Sequence, residues 1–494
     1  MKATLNKQCP NRFHNPAWLP LRVLLCVGIS LLSFTGRAQS LQVIHGLVPP
    51  VTAGLQPSAS LAPTQQVNLA ISLPLRNHSA LLALIDQLYD PTSANYLHYL
   101  NPEQFADMFG PTTNDYSALA AFAQANNLTV AGTYANRTLL DVSGSAADVE
   151  NALHVRLLVY QHPTETRTFY APDVDPSLDV AVPVLNIDGL DNYYLPRPCL
   201  AGTPARPRRG ARADEDPVWF QYMGPDFRAA YAPGVSLTGS GQTVALVEFN
   251  GYFLADIERY ESAANIAYVP VNPVMLHGFP GPGPVQDQNS LAENVEVSAD
   301  IELAIAMAPG LYQVLVYEEP YIWGPLDVLN QIAHDNAASQ ISCSWTFGLP
   351  GPSGAEAFDQ IFQQFAAQGQ SFFQASGDHD AYNDAFGGTN AIPCPCDSCY
   401  VTCVGGTELN TIDATGSWES ETNWNWVFWS TLSRGGGGGI STRFAIPLWQ
   451  QGISMTANMG STTMRNIPDV ARACPKRASF GNAITIADPL QSHH

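Results

Sequence analysis

From Thr243 onward the chain alternates short apolar runs with segments of helical periodicity, and this alternation limits the possible architectures more than any single motif does. The runs are Thr243 to Phe249, Tyr312 to Tyr317, Ile341 to Trp345, Gln370 to Ala375 and Tyr400 to Val404. Helices are expected between them at Leu254 to Ala264, Glu293 to Ala308, Pro325 to Ser339 and Ala355 to Ala367. Strands joined by helical crossovers run parallel, so the fold class is α/β: a doubly wound parallel sheet with helices on both faces. In such sheets functional side chains collect beyond the carboxyl ends of the strands. Glu248 and Gly377-Asp378 fall at that edge.

The N-terminal half reads differently. After a Pro- and Ser-containing stretch from Gln39 to about Gln66, helical patterns occur at Ser79 to Tyr89, Asn114 to Asn126 and Ala146 to Leu153. β-rich runs at Leu139 to Val142 and Val155 to Tyr160 lie among them, which suggests a compact α+β unit ending near Tyr194. The segment Pro196 to Pro217 is rich in Pro, Gly and Arg and reads as an exposed linker open to proteolysis. At the start, Lys2, Lys7, Arg12 and Arg22 precede the apolar run Val23 to Phe34, and Gly36 and Ala38 supply a small-residue cleavage site. Residues 1–38 are therefore expected to be an export signal, too short in its apolar part for a comfortable membrane span.

Acidic residues outnumber basic ones 43 to 22, a net charge of -21, which argues against nucleic acid or an anionic membrane as partner. The same balance lets the molecule shed charge as pH falls. Cys394, Cys396, Cys399 and Cys403 form a tight cluster that could bind zinc or pair into disulfides, and an exported context favours disulfides. Sequons stand at Asn77, Asn127 and Asn136. His379 and Asp380 are conceivable metal ligands without a partner cluster, and are read as surface loop.

Glu296 and Asp300 stand four residues apart in Leu291 to Gly310, so they share one helical face. If Val297, Ile301, Leu303, Ile305 and Met307 bury that face, two close carboxylates must share a proton or have a catalytic task. The alternative is a solvated acidic ridge, with Glu293 and Glu302 nearby.

Several segments in order resemble the sedolisin and kumamolisin family of serine-carboxyl peptidases, in which an activation prodomain precedes a subtilisin-like catalytic domain. Tyr96 to Gly110, Arg137-Thr-Leu-Leu and Gly189-Leu-Asp-Asn192 resemble the prodomain. Leu237 to Phe249, Ser342-Cys-Ser-Trp345, Ala375-Ser-Gly-Asp378, Val404-Gly-Gly-Thr407, Gly435 to Ser441 and Ile467 to Ala471 resemble the catalytic domain. The resemblance implies a prodomain over 65–195, a cleavable linker over 196–216 and a catalytic domain over 217–471, with 39–64 an extended lead-in. It gives Glu296 the role of general base, Asp300 that of the acid orienting it, and Asp378 that of the oxyanion-site acid. Glu248 and Trp345 match the residues that support these carboxylates. Polypeptide substrates, an intramolecular prodomain and an acid optimum follow from it.

The family's serine lies in a Gly-Thr-Ser segment after the Pro-Asp-Val-Ala strand, followed by a calcium site. Residues 472–494 contain no Gly-Thr-Ser and turn basic and nonperiodic, as a frameshift or truncation would produce. No residue is nominated as nucleophile and none as a metal ligand. The expectation is a secreted, acid-acting serine-carboxyl endopeptidase proform that is inactive as it stands. A noncatalytic pseudopeptidase, a prodomain-type inhibitor or a gene remnant is the alternative.

Overall fold

The computed structural model describes residues 41–199, 222–281, 288–382, 392, 394–412, 416–425 and 435–473, with the side chains of 288–292 excepted. The expected export signal and most of the expected linker lie outside the described residues. The described residues belong to one compact unit. Among the described residues, no helix is long and apolar enough to cross a membrane.

The central sheet runs, from edge to edge, Val271–Met275, Gln313–Glu318, Thr243–Glu248, Gln340–Cys343, Ser371–Ala375, Val401–Thr411 and Trp418–Asn423, with Val470–Ala473 also paired to Val401–Thr411. All of these pairings are parallel except that of Trp418–Asn423. Helices Leu254–Ala263, Gln288–Met307, Pro325–Asp335 and Pro352–Gln368 make the crossovers. Chain order reverses beside Thr243–Glu248, the place where a doubly wound sheet opens a crevice at its carboxyl edge. The core strands read Val, Ile, Leu and Ala because both faces are covered. Ala245, Leu246, Val247, Val314, Val316 and Ile341 are almost wholly buried.

The N-terminal half builds an antiparallel sheet in the order Thr129–Thr133, Leu139–Ser145, Gln66–Ser72 and Asn186–Asp188. Its helices His78–Tyr89, Thr113–Ala125 and Ala146–Leu153 fall where the periodicity places them. Helix Pro102–Met108 is added to these, capped by Asn101 and Gln104 in a reciprocal box. Leu81, Ile85, Leu88, Phe105 and Phe109 bury themselves together with Ala366 and Ala367 of helix Pro352–Gln368. Around that apolar contact lies a buried amide network: Asn136 Nδ2 donates to Asn330 Oδ1 at 2.7 Å and to Gln364 Oε1 at 3.0 Å. Asn136 is wholly buried, so the folded chain has no room for a glycan at that sequon.

Two expectations change. Arg197–Pro198 is not an exposed linker but a short strand paired antiparallel with Trp345–Thr346. The six described cysteines, Cys199, Cys343, Cys394, Cys396, Cys399 and Cys403, are free thiols. Cys396 Sγ points to the Ala375 carbonyl at 3.2 Å and Cys399 Sγ to that of Ala445 at 3.8 Å, while the thiols of Cys396 and Cys403 are hydrogen-bonded neighbours.

Candidate active site

Helix Gln288–Met307 passes behind the carboxyl edge of the sheet. Val297, Ile301 and Ile305 enter the main core and are fully buried. Leu303 and Met307 turn aside to a smaller cluster around Phe227 and Leu409. With apolar groups on two sides, the carboxylate face is largely covered, Asp300 being half-buried. Glu296 is 7% exposed and Glu302 4%, so the solvated ridge does not form.

Glu248 ends its strand and is wholly buried, and its Oε2 accepts a 2.7 Å hydrogen bond from Trp345 Nε1. Trp345 is itself wholly buried, packed edge-on against Phe249 with ring centroids 5.6 Å apart. Ser344 Oγ donates to Asp300 Oδ1 at 2.9 Å and also supports Glu296. Glu296 Oε2 is buried without a hydrogen-bond donor, while Glu248 and Asp300 lie within hydrogen-bond reach of each other. Burial pushes Glu248 well above the ordinary carboxylate range, and the Asp300 charge pushes it further. Burial raises Asp300 only to about 6, because Ser344 and a protonated Glu248 both hydrogen-bond it. Glu296 is also raised, by burial first, then by the charges of Asp300 and Asp378. The cluster therefore holds protons at neutral pH, with Asp300 the first to lose one as pH rises.

Asp378 follows strand Ser371–Ala375 and is half-buried, near enough to Glu296 for its charge to be felt there. Strand Gly435–Ala445 braces its loop: Gly437 N donates to Gly377 O at 2.7 Å and Gly435 N to Asp378 O at 3.2 Å. A Cβ on Gly437 would stand 2.0 Å from the Ser376 carbonyl, so only glycine allows this approach. His379 and Asp380 begin a short strand, His379–Ala381, against the same glycine run.

Glu248, Glu296, Asp300 and Trp345 thus meet in one cluster flanked by Asp378. Sequence reasoning gave no role to Ser344, although it immediately precedes Trp345, or to Cys199. The backbone N–H of Cys199 donates to Ser344 O at 2.7 Å, and its thiol feels the charges of Asp378 and Glu296. Residues 197–199 therefore lie across the cluster as an added strand. Such a site can move a proton between carboxyls and hold an extended backbone beside them.

The family model for the pro-kumamolisin activation domain matches residues 53–193. Kumamolisin of Bacillus sp. (strain MN-32) is 30% identical over 390 residues, which is 76% of this chain and 67% of that protein. Sedolisin of Pseudomonas sp. (strain 101) is 27% identical over 436 residues, 84% of this chain and 71% of that one. Among solved structures, Pseudomonas sedolisin, a serine-carboxyl proteinase complexed with two molecules of pseudo-iodotyrostatin, is 25% identical, with 51% of this chain and 71% of that chain covered at a TM-score of 0.44.

Proposed function

The chain belongs to the kumamolisin and sedolisin family of serine-carboxyl peptidases, with its activation domain in place, and we propose that it is the exported proform of an acid-acting endopeptidase whose carboxylate machinery is built from Glu296, Asp300 and Asp378. The carrying observation is the buried hydrogen-bonded set of Glu248, Trp345, Ser344 and Asp300, next to Glu296 and Asp378 at the carboxyl edge of the sheet. In this reading Glu296 accepts the proton of an attacking serine, and Asp300 orients Glu296 and buffers its charge. Asp378, when protonated, donates to the developing oxyanion. Glu248 and Trp345 hold Asp300 in place. Export rests on the basic residues and apolar run before Gln39.

A base must be ionised to work, and Glu296 as buried here keeps its proton. Residues 197–199 lie over Ser344, which itself supports Glu296 and Asp300. Withdrawing that segment admits water and lowers the Glu296 pKa toward its ordinary value, so latency is electrostatic as well as steric. Residues 472–494 contain no Gly-Thr-Ser, and this reading assigns the role of nucleophile to no residue named here. No step of the proposal uses calcium.

Purified chain incubated in acid with an unfolded protein substrate tests the reading. The expected result is no turnover, together with inhibition of an active family peptidase by the separately presented activation segment. Turnover abolished by Glu296→Ala would show a working enzyme with an unrecognised nucleophile. Turnover indifferent to Glu296→Ala would overturn the site assignment.

A further inference from the structure

A second group of buried ionisable side chains lies where the activation domain meets the catalytic sheet. Asp141 comes from strand Leu139–Ser145 of the activation domain, and Asp327 from the first turn of helix Pro325–Asp335. His277 and Glu319 follow the sheet strands Val271–Met275 and Gln313–Glu318. Asp141, Asp327 and Glu319 are all wholly buried. One ligand-capable atom from each of Asp141, His277 and Asp327 lies within 4.8 Å of the others.

The ionic partner of Asp141 and of Glu319 is His277, through Nε2 to Asp141 Oδ2 at 3.4 Å and Nδ1 to Glu319 Oε1 at 2.9 Å. Asp327 and Asp141 face each other within hydrogen-bond reach, and no donor from elsewhere meets either Asp327 oxygen, Asp141 Oδ1 or Glu319 Oε2. A buried carboxylate without a partner is costly, and a multivalent cation removes that cost. The surroundings already resemble a ligand shell. With an ion in place, Nδ1–H would donate to Glu319 and Nε2 would turn to the ion beside the two aspartates, a carboxylate behind a ligating imidazole being the usual outer support of such a metal. Tyr134 Oη donates to Asp141 Oδ2 at 2.9 Å, and Trp323 stacks on the imidazole with ring centroids 3.9 Å apart. The 3.4 Å between Nε2 and Oδ2 is close to the edge of a zinc tetrahedron, about 3.4 Å for bonds of about 2.0–2.2 Å. An imidazole among two carboxylates favours a first-row divalent ion over calcium or magnesium.

We propose that Asp141, His277 and Asp327 form a binding site for a zinc-class divalent cation that clamps the activation domain to the catalytic sheet. One ligand belongs to the activation domain and two to the catalytic half, so the ion binds only when the two are docked, and its binding holds them docked. Glu319 and Tyr134 act as positioning residues. Nothing here depends on the roles given to Glu296 or Asp378.

Full-length chain stripped with a chelator and titrated with cobalt(II) alone reads this directly, without any activity assay. Visible d–d bands saturating at about one cobalt per chain, displaced by zinc and not by calcium, are expected for this donor set. Asp141→Asn and His277→Gln should abolish the bands, and Glu319→Gln should weaken affinity by about 10–100-fold. Zinc should raise the melting temperature of the parent chain and leave that of folded His277→Gln unchanged. No bands in the parent chain would overturn the proposal, leaving protons to satisfy the cluster. Near-ultraviolet thiolate charge transfer in place of those bands would overturn it in favour of the cysteine cluster.

Discussion

Trp345 shows how a single residue sets the state of the carboxylates around it. Its indole N–H is the donor to Glu248 Oε2, and both side chains are wholly buried. Trp345→Phe should destabilise the fold by about 1–3 kcal/mol in urea unfolding, since an acceptor then stays buried and unpaired. Glu302 permits a cleaner test. It is nearly fully buried, and burial together with the Asp256 charge raises it to about 8. A carboxyl raised by folding contributes stability that is complete below the ordinary value near 4 and is lost as pH rises through the folded value. Glu302→Gln should therefore stabilise the chain by about 1–3 kcal/mol near pH 9 and change little near pH 4, as read from melts at both pH values. Spacing alone revealed that Glu296 and Asp300 share a face. It could not reveal that Glu302, on another face of the same helix, is buried too, because that depends on helix Leu254–Ala263 arriving beside it.

At the level of elements, the alternation of runs located most sheet strands and their crossover helices to within a few residues. Strand Val271–Met275 escaped notice because it is an edge strand containing Pro273, largely exposed past Val271, with no apolar run to reveal it. Strand Gly435–Ala445 escaped because glycine carries no periodicity, although close approach to the Asp378 loop is why glycine stands there. Strand Arg197–Pro198 was hidden inside a composition typical of linkers. It is tied to the activation domain by Arg197 to Glu165, a carboxylate also held by Arg167 Nε at 2.6 Å. Glu165→Ala should loosen this strap and speed cleavage of the 197–216 region by an added protease several-fold, followed on gels. The activation domain has its own sensitive point at Gly189, where φ is +88° and a Cβ would stand 2.2 Å from the Asn68 carbonyl. Gly189→Ala should lower stability by more than about 1 kcal/mol in denaturant melts, because backbone rather than a side chain must yield.

Across the whole molecule, raised carboxyls recur: Asp300 and Asp188 near 6, Asp191 near 7 and Glu302 near 8. Each binds its proton more tightly folded than unfolded, so each adds stability at acid pH that is lost as pH climbs from about 4 through those values. The melting temperature should therefore rise as pH is lowered from 8 to 5, the reverse of a protein held by ionised salt bridges. A melting temperature that fell over that range would contradict the buried-acid reading. By itself the sequence determined the parallel α/β sheet, the α+β activation domain and the candidate acids, because apolar period and residue spacing are local properties of a chain. Only the tertiary structure decided that Glu248 and Glu296 are buried beside Asp300, that residues 197–199 lie across them, and that Asp141, His277 and Asp327 meet. Burial and partnership arise where segments far apart in sequence close on one another, and no local pattern encodes the dielectric that results.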